Sequence, residues 1–271
     1  MSGPQFPSGA CDTHMHIYDN RYPVAASSLL RPPDATVTDY RRVQATLGLQ
    51  RVVVVQPSTY GFDNSCTLSA VAEVGDARAV VVIDHSVSDL ELDDLTQLGA
   101  CGARFHMLPG GAVPWEIMGT VADRIAPHGW HIQLQMNGRD LGDRFDALVA
   151  LPTPLVIDHV GRYMPPVEPD DERFVVLQRL LETGRCWVKL SAPYESAVDP
   201  THEYAAVTRL VRPLVERFPE RMLWATNWPH PGQADPPSLE VLRRLCFEWL
   251  PDDSARHRIL VDNPAELYGF A

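Results

Sequence analysis

Three histidines in two short segments are the first residues of chemical interest. His14 and His16 stand two apart in Asp12-Thr13-His14-Met15-His16. In an extended segment alternate side chains share a face, so both imidazoles point the same way. Two imidazoles on one face can grip a divalent metal or polarise a carbonyl. His159 follows the apolar run Leu155–Ile157, in Asp158-His159-Val160-Gly161-Arg162. An H-x-H arises often by chance, and two satisfied core histidines are the plainer alternative. The position of each segment at the end of an expected strand is what gives it weight.

Other polar residues fall at comparable places. Asn227 lies in Trp224-Ala225-Thr226-Asn227-Trp228-Pro229-His230 and shares the parity of Ala225. Its amide can orient a water or a substrate oxygen but cannot take a proton. Arg104 and His106 end Gly102-Ala103-Arg104-Phe105-His106. An arginine there suits bidentate grip of a carboxylate, or equally a salt bridge to a loop aspartate. Gln133 and Gln135 share one face, Lys189 and Ser191 another, Tyr194 follows, and Ser58 comes after Gln56-Pro57. Each can touch a substrate, and each can be purely structural. There is no G-x-S-x-G elbow, no P-loop and no dinucleotide fingerprint.

The elements that must position these residues alternate short apolar runs with longer amphipathic stretches. Val52–Val55 and Ala79–Asp84 are continuous runs, as in strands buried on both faces of a parallel sheet. Ala10–His16, Ala100–Phe105, His131–Leu134, Leu155–Ile157, Trp187–Leu190 and Met222–Trp224 complete eight. Helical patterns lie between them. One opens at Thr38-Asp39-Tyr40 with a capping threonine or aspartate, and others span Phe174–Thr183 and Tyr204–Phe218. Gly48, Gly99, Gly129 and Gly184 fall near helix ends. Eight strand–helix repeats predict a single (β/α)8 barrel, distorted, over residues 1–271, with its site at the C-terminal mouth. An open doubly wound sheet is the alternative. It would want a glycine-rich turn after the first strand, where this chain has D-T-H-M-H. Two Pro-rich loops, Arg31–Asp34 and Met164–Pro169, fall at the expected catalytic end as lids or as plain stiffened loops.

The bulk numbers bound the rest. The formal net charge of -12 disfavours nucleic acid and anionic membrane surfaces as partners, while a local arginine still permits an anionic small substrate. The five cysteines are widely spaced with no C-x-x-C, so no zinc knuckle or thioredoxin motif is expected. They read as reduced thiols, and with no signal-peptide pattern the expectation is a cytoplasmic protein. Nothing in the sequence indicates an oligomeric state.

The landmarks D-T-H-M-H-I-Y-D (12–19), V-Q-P-S (55–58), G-A-R-F (102–105), I-D-H-V-G-R (157–162), W-V-K-L-S (187–191) and W-A-T-N-W-P-H (224–230) run the length of the chain. With V-D-N-P-A-E-L-Y-G-F (261–270), the sequence resembles the amidohydrolase superfamily, in the branch of 2-pyrone-4,6-dicarboxylate lactonases and galactarolactone isomerases. The resemblance implies chemistry on a carboxylated lactone. His14, His16 and His159 would polarise its carbonyl, Arg104 would bind a carboxylate, and Ser58 would line the pocket, with Gln135 and Tyr194 as further substrate contacts. It also implies metal independence. Gln135 stands where metal-binding relatives carry histidine, and zinc on His14, His16 and His159 is the alternative. The superfamily's strand-eight aspartate is here Asn227. The isomerases are similar at that point and at Leu108–Val113 and Tyr194-Glu195-Ser196, yet they lack the first histidine, present here as His14.

Two reactions follow. Hydrolysis needs a neutral histidine, His159 or His16, to activate water in place of Asn227. Isomerisation uses a hydroxyl of the substrate itself and needs no water. Lactone hydrolysis is the leading expectation and isomerisation the alternative. A barrel that binds a sugar acid or aromatic acid without turnover is the non-enzymatic one.

Overall fold

The chain folds around eight parallel strands that hydrogen-bond in chain order. The structure is a computed structural model and describes residues 5–164, 167–199 and 201–270. The strands are β1 (Cys11–Met15), β2 (Arg51–Val55), β3 (Ala77–Val81), β4 (Ala100–His106), β5 (His131–Gln135), β6 (Leu155–Ile157), β7 (Cys186–Leu190) and β8 (Met222–Trp224). All eight expected strands are found. The main helices between and after them are α1 (Val37–Leu47), α2 (Ser65–Val74), α3 (Asp89–Gln97), α4 (Met118–Ile125), α5 (Phe145–Val149), α6 (Glu172–Glu182), α7 (Ala205–Arg217) and α8 (Leu239–Trp249). The result is a nearly closed (β/α)8 barrel.

Closure depends on Asp12. Its carboxylate crosses the seam between β1 and β8, accepting from the Thr226 amide at 3.0 Å and the Thr226 hydroxyl at 2.5 Å. The hydroxyl of Tyr40 on α1 donates to the same carboxylate at 2.9 Å. Farther along, the Asn227 amide donates to the His14 carbonyl at 2.9 Å and the His16 amide to the Trp228 carbonyl at 2.8 Å. The ends of β1 and β8 that carry the candidate residues are therefore held together directly.

Hydrophobic burial fills both sides of the sheet. Cys11, Val53, Val80, Val156, Trp187 and Leu223 form an inner cluster with Tyr268 and Phe270 from the chain's end. The Arg51 and Arg78 guanidiniums lie over the Phe270 ring, at 5.2 and 4.7 Å from its centroid. This packing plugs the barrel floor and leaves the strands' C-terminal ends as the open mouth. A second, larger cluster packs the outer faces of the strands against the helices.

Helix boundaries differ slightly from the expected ones. The cap of α1 is Thr36, not Thr38 or Asp39. Thr36 Oγ1 accepts from the Asp39 amide while the Asp39 side chain returns to the Thr36 amide, a complete capping box. Gly48 ends α1 at φ 78°, in the left-handed region that favours glycine. The Arg31–Asp34 loop lies between β1 and α1, at the mouth as expected. In the second Pro-rich loop, Pro165 and Pro166 lie outside the described residues. Among the described residues no helix is long and apolar enough to cross a membrane.

Candidate active site

The mouth holds a cavity of about 250 Å³, lined by residues from six strand ends and by Leu29 and Leu30 of the β1–α1 loop. His16, Ser58, Arg104, Gln135, His159 and Asn227 all reach it. The structure thus brings together six of the eight residues singled out from the sequence. His14 and Tyr194 stand one layer back and do not line it.

His14 lies directly under the cavity, fully buried. Its Nε2 is 3.3 Å from Nε2 of His16, and its ring centroid is 4.8 Å from that of His159. Beneath it is a buried polar tier. Nδ1 of His14 is 3.2 Å from Asp158 Oδ1 and 3.4 Å from Lys189 Nζ. Lys189 also donates to the Thr13 carbonyl at 2.8 Å and to Gln133 Oε1 at 2.6 Å, and Gln133 donates to Asp158 Oδ2 at 3.1 Å. Gln133 and Lys189 point inward, as the parity they share with Gln135 and Ser191 predicts, but lie one layer too deep to touch a substrate.

Every imidazole here is neutral near neutral pH. Burial drives His14 well below its ordinary range, with Lys189 the next cause. His16 falls to about 3, from burial and then the Arg104 charge. His159 is also far below its ordinary range because it is buried, with His14, Arg104 and Lys189 adding to the fall against Asp158. His106 falls to about 4, again through burial and then Arg104.

The local backbone is unusual around two of these groups. His159, Val160 and Arg162 have φ of 55°, 53° and 52°, and Asn227 has φ of 58°. Left-handed conformations at non-glycine residues are uncommon, and for a β-branched valine costly, so the surrounding packing must enforce them. They aim His159 and Asn227 at the cavity. The His159 ring is fixed by Nδ1, 2.8 Å from Ser191 Oγ.

Asn227 is oriented by its neighbours. Its Nδ2 donates to the Tyr194 hydroxyl at 2.8 Å, and that hydroxyl lies 2.9 Å from His230 Nδ1. Asn227 Oδ1 is buried without a partner. Tyr194, read from the sequence as a substrate contact, instead holds Asn227 from behind.

Arg104 is a buried cation with no carboxylate partner among the described residues, so the salt bridge to a loop aspartate is not formed. Its guanidinium donates to the Gln56 carbonyl at 2.7 Å and to Gln135 Oε1 at 2.8 Å, and its Nε has no partner. Gln135 Oε1 also lies 3.0 Å from His106 Nδ1. An amide oxygen only accepts, so His106 carries its hydrogen on Nδ1 and leaves Nε2 bare. Sequence reasoning missed Asp158 as a site residue, and it missed the Arg162–Glu195 ion pair at 2.6 Å in the cavity wall.

His14, Asp158 and His159 offer ligand atoms all within 4.8 Å of one another, a set suited by type to a divalent ion. Asp158, rather than His16, completes it. Opposing it, Lys189 Nζ already forms an ion pair with Asp158 Oδ1 at 3.8 Å, and Arg104 adds a second cation.

The chain is similar to known proteins over nearly its whole length. A family model described as Amidohydrolase matches residues 11–270. D-galactarolactone isomerase of Agrobacterium fabrum is 37% identical over 271 residues, covering 98% of this chain and 92% of that protein. A 2-pyrone-4,6-dicarboxylate hydrolase of Comamonas testosteroni is 34% identical over 283 residues, covering 98% and 93%. An apo crystal structure from Agrobacterium tumefaciens superposes with a TM-score of 0.94 at 36% identity, covering 100% of this chain and 99% of that one.

Proposed function

The chain belongs to the amidohydrolase family, and from that premise we propose that it is an enzyme acting on a carboxylated lactone, by internal ester transfer to a hydroxyl of the substrate. The observation that carries this reading is Asn227. It lines the cavity where a water-activating base would be needed, its Oδ1 is buried without a partner, and an amide cannot take a proton.

Arg104 supplies the anchor. An unpaired buried guanidinium is costly until an anion meets it, and a carboxylate fits its planar fork. The same positive field serves the reaction. Burial is the main cause of the depression of all three imidazoles, and Arg104 and Lys189 add to it. A field that resists a proton at those rings stabilises negative charge on a lactone carbonyl oxygen placed beside them.

In the transfer, the substrate hydroxyl attacks the carbonyl carbon and the ring C–O bond breaks. A neutral imidazole, His159 or His16, takes the hydroxyl proton and returns it to the departing ring oxygen. Asn227 Oδ1 accepts from a substrate hydroxyl and Ser58 lines the wall. No water is consumed. The imidazoles and cations suffice for these steps, which supports a reaction without a metal. A divalent ion, where bound, would be held by His14, Asp158 and His159 and would polarise the carbonyl.

Hydrolysis is the second reading, favoured by the neutral His159 ring in a cavity with room for water. A lactone panel followed by proton release and NMR separates the two. A new lactone without net acid supports transfer, and steady acid release supports hydrolysis. A His159→Ala variant that still binds a lactone but no longer turns it over would eliminate a binding-only barrel.

A further inference from the structure

Among the described residues two guanidiniums face this cavity, and one of them is free of a carboxylate. Arg104 meets only neutral oxygens. Arg162, in contrast, gives its Nε–H to Glu195 Oε2 at 2.6 Å, with both side chains at the wall and only 28% and 19% exposed. We propose that Glu195 is a specificity-determining residue that limits the substrate to a single carboxylate by neutralising Arg162. The inference rests on the lactone reading above and sharpens its substrate class.

Arg104 has a buried Nε–H without an acceptor, so one anion is wanted there. Among the other polar groups of the wall, two acceptors stand without a donor among the described residues. Asn227 Oδ1 is unpartnered, and His106 presents a bare Nε2 because its Nδ1–H is spent on Gln135. Glu195 adds a negative charge whose influence reaches Arg104. Acceptors call for hydroxyl donors on the ligand, and a carboxylate beside them meets repulsion and an unpaired desolvated oxygen. A second substrate carboxylate would meet Arg162 with its charge already balanced by Glu195, a group tethered in place. The complement is therefore a hydroxyl-bearing lactone with one carboxylate, rather than a flat dicarboxylate.

The test compares two probes that differ by one carboxylate, 2-pyrone-6-carboxylate and 2-pyrone-4,6-dicarboxylate. Isothermal titration measures their affinity for the wild type, Glu195→Gln and the double variant Glu195→Gln/Arg162→Gln. The wild type should bind the monocarboxylate at least about tenfold more tightly. Glu195→Gln should shift the affinity ratio at least about tenfold toward the dicarboxylate, and the double variant should cancel that shift. Equal wild-type affinities, or a ratio unmoved by Glu195→Gln, overturn the proposal. The wild-type comparison decides even where a variant fails to fold. Because the readout is equilibrium binding, it is independent of turnover. An enzyme that discriminates by charge yet converts no lactone would refute the reaction and leave this inference standing.

Discussion

Nε2 of His14 and Nε2 of His16 lie 3.3 Å apart, while Nδ1 of His16 lies 2.7 Å from the Val55 carbonyl. A carbonyl only accepts, so His16 carries its hydrogen on Nδ1 and its Nε2 is bare when neutral. His14 Nδ1 faces a donor, Lys189, and an acceptor, Asp158, at 3.4 and 3.2 Å. One added proton would satisfy the pair at once, with Nδ1–H on Asp158 and Nε2–H on His16. The two rings are thus built to receive a proton transiently and are kept empty by burial and Lys189.

Removing the charge that would balance that proton should slow the chemistry. Asp158→Asn is expected to lower kcat by about 100-fold, within the usual range for a disrupted proton transfer, with KM changed far less. Steady-state kinetics beside a thermal melt checks this. A matching rise in KM would place Asp158 in binding instead.

Acid should unfold the protein before it titrates the site. In an unfolded chain histidine titrates near 6.5. Burial lowers His16 and His131 to about 3 and His106 and His230 to about 4. The unfolded state therefore takes up protons that the folded state refuses. Stability is full above about pH 7 and falls as pH drops through 6.5 toward 4, by about 2 kcal/mol per fully buried ring at pH 5. Melting temperature should decline over that window. Meanwhile kcat/KM should show no acid limb near 6.5, because the folded rings stay neutral. An inflection at 6.5 in kcat/KM would contradict the neutral-imidazole mechanism.

Arg104→Met separates function from stability. The lost guanidinium should raise KM by about 100-fold or more, the range for a charge-assisted pair in a dry site. Because an unpaired buried cation is removed, thermal stability should stay level or rise. A large fall in melting temperature with unchanged KM would reverse both assignments.

Prolonged dialysis against a chelator should leave kcat/KM within about twofold, because Lys189 and Arg104 oppose a divalent ion at His14, Asp158 and His159. Loss of activity that is restored by one equivalent of zinc would assign the reaction to a bound metal.

The sequence was legible wherever one local period decided the outcome. Val52–Val55 and Leu155–Ile157 lie in or form strands, and the alternation of His14 and His16 carries through to rings in contact. It was less legible where depth mattered. Each step of two residues along a strand moves a side chain roughly 7 Å down the barrel. Gln133 and Lys189 therefore share a face with cavity residues yet belong to the tier below. Glu195 and Arg162 are brought together by left-handed turns at Arg162 and Ala192, which no periodicity announces. Likewise Tyr194 meets Asn227 from behind, a contact between two loops.

Asn227 gives the sharpest test of what the site does. The Tyr194 hydroxyl takes the amide Nδ2–H and lies within hydrogen-bond distance of His230, leaving the carbonyl end of a cavity-lining residue without a partner. Asn227→Asp keeps the shape and puts a proton acceptor in its place. If the substrate's own hydroxyl is the nucleophile in the wild type, the new carboxylate should admit water as a competitor. Acid release relative to lactone interconversion should then rise at least about tenfold, given that a placed general base contributes about 100-fold or more. Asn227→Ala should lower both reactions together, since it removes the acceptor without adding a base. A pH-stat run beside NMR of the same mixture reads both products. A wild type that already releases one acid per turnover, unchanged in Asn227→Asp, would mean that a histidine serves as the base and that hydrolysis is the native reaction.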